Sequence, residues 1–400
     1  MRVAFFHLPV PGHVNPTLPV MAELRRRGAE VRAFADPSIA GPIEQSGATV
    51  VLYPPGIQEQ TDPPPRGVLA VGALLAEISE ELLPFALEHL RAEPPDVVVC
   101  DSMAPWGRMA AEVLGLPCVT SSAIFTVHGR MDRSPQATAE MLRDVATGVG
   151  AMRRLHEARR RIRRDFGVDP GDPIRIISNR ADRTVVFTSR AFQPGADRFG
   201  DEVRFVGAPL RDPGPPDPFL DELGDGPLIY VSLGTLFNDR APFLRACLEA
   251  FADEPGHVLL SIGNRVDPGA LGQIPANAMI RPSVPQLQVL ERARLFVTHG
   301  GINSVSEALV YGVPMVLFPQ TADQPLIARR VAALGAGRLL RGRDPDAGQI
   351  ASTARRVLAG DAAARAAALG ASLRDGGGAP AAADEILAAG ATYAARKTVV

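Results

Sequence analysis

The chain has 400 residues, of which 46% are hydrophobic, and its formal net charge at pH 7 is −2. A chain of this length and composition can bury a large core, and the length favours two domains over one. The near-neutral charge argues against general nucleic-acid binding, which usually comes with an overall or one-sided basic excess. The three cysteines, at positions 100, 118 and 247, fit reduced thiols rather than a disulfide framework, so a cytoplasmic protein is expected.

The amino-terminal segment is predicted to begin a doubly wound sheet. Its apolar run is interrupted by His7 and Pro9 and is too short for a signal peptide or a membrane span. A strand over residues 3–8 leads through the turn PVPGHVNP into a helix, with Asn15 as the predicted N-cap and Pro16 as the first helical residue. A strand, a glycine-containing turn and a helix in this order are typical of a Rossmann-like fold.

The alternation of strands and helices continues along both halves of the chain. In the first half, strands are predicted at residues 96–101, 117–122 and 184–189, with a helix near 105–114. After a proline-rich stretch the alternation resumes with the strands LIYVSLGT, HVLLSIG, RLFVTH and VPMVLFP, which are separated by helices. Strands separated by helices of this length predict a second parallel sheet.

The predicted fold class is therefore α/β, with two Rossmann-like doubly wound domains that face each other across a cleft. The expected divisions are an N-terminal domain over 1–206, a proline-rich linker over 207–226, a C-terminal domain over 227–380, and a last helix, 381–400, that packs back on the first domain. Ligands of such sheets bind outside the carboxyl ends of the strands, so a site is expected where strand-end loops of both halves meet.

One strongly basic run stands out from the otherwise balanced charge. Seven arginines lie between Met152 and Phe166. They could form a patch for an anionic surface such as lipid headgroups, but a charge run on a helix is more often a solvated face. We expect no stable membrane association.

A glycine-broken stretch, HGGINS, follows the predicted strand RLFVTH and opens a helix. Gly300 and Gly301 let the backbone approach a ligand closely, and the free N–H groups of the helix that follows favour an anion such as a phosphate. The hydroxyl of Ser304 and the ring of His299 can add donors, and Glu307 shares the same helical face and can accept from a pair of sugar hydroxyls. A tight turn with Ser304 as a capping residue is the simpler alternative.

A candidate acid–base pair lies in the first half of the chain. His13 follows the first strand, and an imidazole of ordinary pKa suits a general base near pH 7. Asp101 ends the strand DVVVCD and can orient the ring and stabilise the imidazolium. The alternatives are a structural role for His13 in its turn and a helix-capping role for Asp101.

No metal-binding motif is found in the sequence. It has no Asp-any-Asp pair at a strand end and no cluster of histidine and cysteine, so neither a metal nor a cofactor is expected. A leaving diphosphate would then be stabilised by the helix dipole and its hydrogen-bond donors.

The stretch HGGINSVSEALVYGVPMVLFPQTADQ resembles the nucleotide-sugar signature of the GT-B glycosyltransferases, family 1, and most closely the bacterial branch that is similar to macrolide glycosyltransferases. RPSVPQLQVLERA, YVSLGT, FTSRAFQPGADRFGDEVRFVG and PGHVNPTLPVMAELRRRG look like the same branch and occur in the same order. Together they cover most of the chain apart from roughly residues 55–90 and 125–175.

The resemblance implies roles for residues at matching positions. The diphosphate would be held by His299, Gly300, Gly301, Asn303 and Ser304, and from the other side by Ser232 and Thr235. The ribose would be held by Glu307, the base by Ser283, Val284 and Gln286, and the hexose by Asp323 and Gln324. The family's histidine and aspartate fall at His13 and Asp101, which would be the catalytic base and its partner.

The resemblance implies an inverting, metal-independent transfer of a hexose from a nucleotide sugar, expected to be UDP-glucose, to a hydroxyl of a hydrophobic small molecule. The carboxyl-terminal half would bind the donor and the amino-terminal half the acceptor, and the apolar segment at residues 67–90 favours an acceptor pocket. Plant members stack the base on a tryptophan in this region, whereas the only tryptophan here is Trp106, so UDP and TDP both stay open.

Several alternatives remain open at this point. A nucleotide-sugar epimerase and a non-enzymatic nucleotide-sugar binding module would use similar halves. The acceptor, the choice among O-, N- and C-glycosylation, and the assembly as monomer or homodimer are not decided by the residues.

Overall fold

The computed structural model describes residues 1–57, 60, 65, 67–127, 148–234, 238–320 and 323–398. The chain divides into two compact units. The first consists of Met1–Pro209 together with Gly376–Val400, and the second of Leu210–Asp375. Each unit is built around its own sheet.

The described part of the first unit contains a seven-stranded sheet in the order β3-β2-β1-β4-β5-β6-β7, and every paired strand is parallel. The strands are β1 (Arg2–Phe6), β2 (Glu30–Ala35), β3 (Thr49–Leu52), β4 (Val97–Asp101), β5 (Cys118–Ser122), β6 (Arg183–Val186) and β7 (Val203–Phe205). The run of valines in β4 is buried throughout, as expected for a central strand covered on both faces.

Helices cover both faces of this sheet. They are α1 (Pro11–Val14), α2 (Leu18–Arg26), α3 (Pro37–Gln45), α4 (Val68–Ala92), α5 (Pro105–Leu114), α6 (Val149–Phe166) and α7 (Pro173–Ser178). Successive residues of β1 enter opposite cores: Phe6 packs with residues of α4 and α5, and Phe5 packs with residues of α2 and α3. Burial of each phenylalanine contributes about 2 kcal/mol to stability.

The segment between β1 and α2 differs from the prediction. The expected turn is the short helix α1, which is followed by a 3-10 helix at Asn15–Thr17. Asn15 is therefore inside helical backbone and is not an N-cap; Thr17 occupies that position for α2. The prolines at positions 11, 16 and 19 each suit the start of a short helical segment, so the chain makes three consecutive starts.

The described part of the second unit contains a six-stranded parallel sheet in the order β10-β9-β8-β11-β12-β13. Its strands are β8 (Leu228–Ser232), β9 (His257–Ser261), β10 (Ala278–Arg281), β11 (Ala293–Thr298), β12 (Met315–Leu317) and β13 (Gly337–Leu339). Its helices are α8 (Ala241–Phe251), α9 (Gln286–Arg292), α10 (Ile302–Val310), α11 (Gln324–Ala333), α12 (Ala347–Leu358) and α13 (Ala362–Asp375).

The last helix, α14 (Gly378–Thr398), belongs to the first unit. The chain returns to the first unit at residue 376 rather than at the expected 381. Gly376 lies against the backbone of Val206 and Gly207, and the N–H of Gly378 donates to the Val206 carbonyl at 2.6 Å. Farther along α14, Ile386 is buried in the core that also contains residues of α2.

The proline-rich stretch is not a free linker. Residues from 210 onward belong to the second unit, where Pro218–Leu223 forms a 3-10 helix with two buried leucines. The side-chain amide of Gln288 donates to the carbonyls of Pro213 and Pro215 at 2.6 and 2.9 Å. These bonds satisfy backbone groups that the prolines leave outside regular structure.

The apolar segment expected to line an acceptor site is the long helix α4, and its apolar side chains lie mainly in the core of the first unit. Its composition is therefore explained by packing. Within the described residues, no helix combines the length and the apolar character needed to cross a membrane. The cysteines at positions 100, 118 and 247 are free thiols.

The basic run forms helix α6, and its arginines are largely matched by nearby acids. Arg154 pairs with Glu77 and Arg161 with Glu80 of α4, while Arg159 pairs with Asp169. Further pairs join Arg153 to Glu157, Arg164 to Asp165 and Arg163 to Asp169. Because most of these arginines pair with acidic side chains, the run agrees with a solvated helix face rather than with a patch for an anionic surface.

Candidate active site

Each sheet has a switch point, which is the place between two neighbouring strands where the strand order reverses its direction. In the first unit it lies between β1 and β4, and in the second between β8 and β11. Ligands of doubly wound sheets bind at such points, outside the carboxyl ends of the strands. The predicted catalytic pair lies at the first of these places, and the predicted residues of the glycine turn lie at the second.

His13 and Asp101 meet at the first switch point. Both residues are buried, and Nδ1 of His13 lies 3.0 Å from each carboxylate oxygen of Asp101. When Nδ1–H donates to the carboxylate, Nε2 is the nitrogen that can act as a base. Asp101 also accepts from the backbone N–H of Met103 at 2.7 Å, so it does not cap α5.

A second buried histidine lies close to this pair. Burial lowers the pKa of His7 to about 4, while the nearby Asp101 raises it and His13 lowers it to smaller extents. The ring of His7 shares a hydrogen bond of 2.9 Å with Thr17, whose hydroxyl donates to the Val14 carbonyl. His7 is therefore neutral at pH 7 and leaves His13 as the imidazole that bonds to Asp101.

The glycine turn lies at the second switch point, between β11 and α10. Gly300 has φ +82°, which a glycine adopts without strain, and its N–H donates to the Thr298 hydroxyl at 3.3 Å. Gly301 follows as the N-cap residue of α10 and provides no side-chain cap, which suits an anion site at a helix N-terminus.

The ring of His299 lies against two glycines. A methyl group on Gly301 would be 2.5 Å from Nε2 of His299, and one on Gly234 would be 2.7 Å from Cε1. Removal from water lowers the pKa of His299 to about 4, against a smaller opposing effect of its hydrogen bond with the Ser232 backbone. At pH 7 the ring is neutral, so it can offer an N–H or a lone pair but no positive charge.

The first turns of α10 carry the residues expected to contact phosphate and ribose. Asn303, Ser304 and Glu307 are half-buried on this helix. The amide of Gln286, at the start of α9, donates to Glu307 at 2.5 Å and to Ser304 at 3.3 Å. Burial raises the pKa of Glu307, and the Gln286 hydrogen bond opposes this shift.

Tyr230 was not predicted from the sequence and sets the orientation of this amide. Its buried hydroxyl donates to Oε1 of Gln286 at 3.0 Å, so the amide nitrogen faces Glu307. The signal in the sequence is the alternation in LIYVSL, which places Tyr230 and Ser232 on one face of β8. Ser232 ends that strand and is buried, whereas Thr235 lies outside the described residues.

The remaining predicted residues lie on two further loops. Ser283 and Val284 lie between β10 and α9, where Ser283 is exposed and Val284 half-buried. Asp323 is the N-cap residue of α11, and Gln324 is its first residue. The side chain of Gln324 accepts from the N–H of Gln320 at 2.8 Å.

A second unpredicted contact holds the loop after β12. The side chain of Gln320 donates to the Phe318 carbonyl at 3.0 Å and accepts from Nε of Arg240 at 2.8 Å. The bond between Arg240 and Gln320 connects the loops that follow β8 and β12. Gln320 lies shortly before the predicted hexose-binding residues, Asp323 and Gln324. Among the described residues, no group of three or more histidine, cysteine or carboxylate side chains is placed to hold a metal ion.

Comparison with known proteins agrees with the fold of two parallel sheets. Residues 245–388 match the family model described as erythromycin biosynthesis protein CIII-like, C-terminal domain. The chain is 31% identical to the NDP-glycosyltransferase YjiC of Bacillus subtilis, with 84% of this chain and 83% of that protein covered. It is 30% identical to the oleandomycin glycosyltransferase of Streptomyces antibioticus, with coverage of 88% and 82%.

The crystal structure of CalG4, the calicheamicin glycosyltransferase, has a TM-score of 0.83 and 30% identity, and covers 97% of this chain and 98% of that chain. The fold and the relatives define a glycosyltransferase. The chain belongs to the GT-B glycosyltransferases of family 1, in the bacterial branch similar to macrolide glycosyltransferases. The predicted family and the prediction of two parallel-sheet α/β domains are confirmed.

Proposed function

We propose that the protein is an inverting, metal-independent glycosyltransferase that moves a hexose from UDP-glucose to a hydroxyl of a hydrophobic natural product. The observation that carries the proposal is the buried contact between His13 and Asp101, at 3.0 Å from both carboxylate oxygens. An alcohol or phenol needs a base to become a nucleophile near pH 7, and a histidine held by a carboxylate suits that role.

In the proposed reaction, Nε2 of His13 takes the proton of the acceptor hydroxyl. The oxygen attacks the anomeric carbon from the face opposite the diphosphate, and the bond from that carbon to the diphosphate oxygen breaks. UDP leaves with the bonding electron pair, so an α-linked donor gives a β-glycoside. Asp101 keeps the Nδ1 proton in place and stabilises the imidazolium that forms.

The charge that develops on the diphosphate is proposed to be met by the turn after β11. The N–H groups that begin α10, the Ser304 hydroxyl and the neutral ring of His299 are oriented by the fold, so little reorganisation is needed as the bond breaks. Ser232 and Thr235 are proposed to face the phosphates from the loop after β8.

The sugar contacts are proposed to be divided between two helices. Glu307 would accept from the ribose hydroxyls, which compete with its bond to Gln286. Asp323 and Gln324 would bind the hexose hydroxyls, because a carboxylate and a two-way amide suit a polyol. Val284 and Pro285 would pack on the base, and Ser283 would contribute through its backbone.

The hydrophobic acceptor is supported by the relatives rather than by α4, whose apolar residues are explained by packing. Oleandomycin and calicheamicin are natural products that appear in the names of relatives at 30% identity. A natural-product aglycone with a free hydroxyl is therefore the proposed acceptor class. The names of these relatives specify no sugar, so TDP-linked donors are the alternative to UDP-glucose.

The test is a product assay with UDP-glucose and TDP-glucose against phenolic and macrolide acceptors. The proposal expects an acceptor mass increased by one hexose and an anomeric coupling constant of a β-linkage. Donor consumption that is independent of acceptor would indicate a hydrolase, and an isomerised nucleotide sugar would indicate an epimerase. Binding without any turnover across the panel would favour the binding module.

A further inference from the structure

We propose that Asn179 is a positioning residue for the catalytic pair, and that its side-chain amide holds the main chain of Asp101 so that the carboxylate meets His13. The inference rests on the proposed function of that pair. It concerns a residue that lies 78 positions away from Asp101 in the sequence and that no motif singled out.

The backbone of Asn179 is the first observation. Among the described residues other than glycine, Asn179 alone has a positive φ, with φ 42° and ψ 32°, where it ends helix α7. Asparagine adopts this left-handed conformation more readily than other side chains do. The conformation is held deep in the first unit, because Asn179 is fully buried.

The hydrogen bonds of Asn179 are the second observation. Its Nδ2 donates to the main-chain carbonyl of Asp101 at 2.9 Å, and its Oδ1 accepts from Nε of Arg108 at 2.8 Å. Its own carbonyl accepts from the hydroxyl of Thr120 at 2.6 Å. One residue therefore ties together the ends of β4 and α7, the helix α5 and the neighbouring strand β5.

The position of the contacted carbonyl shows why this matters for the pair. Asp101 is the last residue of β4, and beyond it the chain turns, with the N–H of Ala104 also donating to the Asp101 carbonyl at 2.9 Å. The amide of Asn179 adds a second donor to that carbonyl and so restrains the peptide plane after Asp101. The carboxylate is joined to this backbone through a single methylene group, so a shift of the peptide changes its distance to His13.

The experiment compares variants of the intact protein in glucosyl transfer from UDP-glucose to 4-methylumbelliferone. Asn179→Gly keeps the left-handed backbone and removes the side-chain contacts to Asp101 and Arg108, together with a longer one to the Cys100 thiol at 3.6 Å. Asn179→Asp retains an acceptor for Arg108 but cannot donate to Asp101. Asn277→Ala is the matched control, because its amide donates to the carbonyls of Phe251 and Glu254 at 2.9 and 3.1 Å in the second unit.

Both Asn179 variants should lower kcat by about tenfold, the scale of coupling between contacting residues, with KM for UDP-glucose within about twofold. In an Asp101→Ala background, which has no carboxylate to position, the same substitutions should cause no further loss. Asn277→Ala should reduce thermal stability with kcat unchanged.

A positioning role is overturned if Asn179→Asp retains the kcat of the wild type, or if the loss persists undiminished in the Asp101→Ala background. The melting temperature of each variant shows whether it has folded. If Asn179→Gly fails to fold, Asn179→Asp still tests the proposal. Should Asp101→Ala itself leave kcat unaltered, the proposed function of the pair fails, and this inference fails with it; the two failures are thus distinguishable.

Discussion

The two switch points have the same strand arrangement and opposite chemistry. In the first unit, β1 lies between β2 and β4, and the side chains that follow β1 and end β4 meet as a histidine and a carboxylate. In the second, β8 lies between β9 and β11, and the loops after β8 and β11 bring a histidine ring against glycine backbone. One topology therefore holds a histidine against a carboxylate at the first switch point and a histidine ring against two glycines at the second.

The difference comes from the turn residues. The helix α1 after β1 contains Gly12, where a methyl group would find no atom within 4 Å, so the glycine there is not required by space. The turn after β11 has no room at Gly301, because His299 occupies it. A proton-transfer site needs a precisely held side chain, whereas a diphosphate site needs close approach to the backbone.

The largest expected effect is on the side-chain site. His13→Ala should lower kcat for glycosyl transfer by about a hundredfold or more, the scale of a lost general base, with UDP affinity nearly intact. His156→Ala, on the exposed side of α6, is the control and should keep full activity. Turnover of the His13 variant within about threefold of the wild type would place the base elsewhere.

The next effect contrasts the two glycines. Gly301→Ala should weaken UDP binding by about tenfold, because the methyl group forces the His299 ring out of place. Gly12→Ala should leave UDP affinity unchanged, since the space beside it is open. Calorimetric titration with UDP measures both, and equal affinities of the two variants would contradict the proposed anion site at this turn.

Substitutions at the second site should have a comparable or smaller effect on affinity, and they should separate the residues that bind UDP from those that bind the hexose. Glu307→Ala should weaken free UDP and UDP-glucose alike, by about tenfold, the lower end of the range for a lost hydrogen bond to a charged group. Asp323→Ala should weaken UDP-glucose and leave free UDP unaltered. Glu291→Ala, an exposed residue of α9, serves as the control. If Asp323→Ala weakens both ligands equally, the assignment of that residue to the hexose is wrong.

The smallest expected effect is that of chelation, which should leave the rate unchanged. The developing charge on the diphosphate is proposed to be met by N–H groups and a neutral imidazole rather than by a metal ion. Activity is measured in excess EDTA, beside a magnesium-dependent transferase as a control that should lose its activity. Loss of most activity here, with recovery on adding magnesium or manganese, would indicate that a carboxylate such as Asp323 binds a metal.

Much of the fold was predictable because its signals are local. The buried valines of β4 and the strand–turn–helix order around HGGINS depend on residues within a few positions of one another. The segment at Asn15 was predicted wrongly, because three closely spaced prolines each favour a helix start and the sequence alone does not rank them. In the structure all three are used, at the starts of α1, of the 3-10 helix and of α2.

The site was predictable in its residue types and less so in its contacts. The sequence alone determined that a glycine turn opens α10 and that a histidine and an aspartate follow strands of one sheet. Only the tertiary structure brought His13 to Asp101 across 88 positions, turned the amide of Gln286 toward Glu307 through Tyr230, and placed Asn179 behind the Asp101 carbonyl. Hydrogen bonds of this kind act over about 3 Å, so they depend on how distant segments pack, whereas turn and strand preferences act between neighbours along the chain.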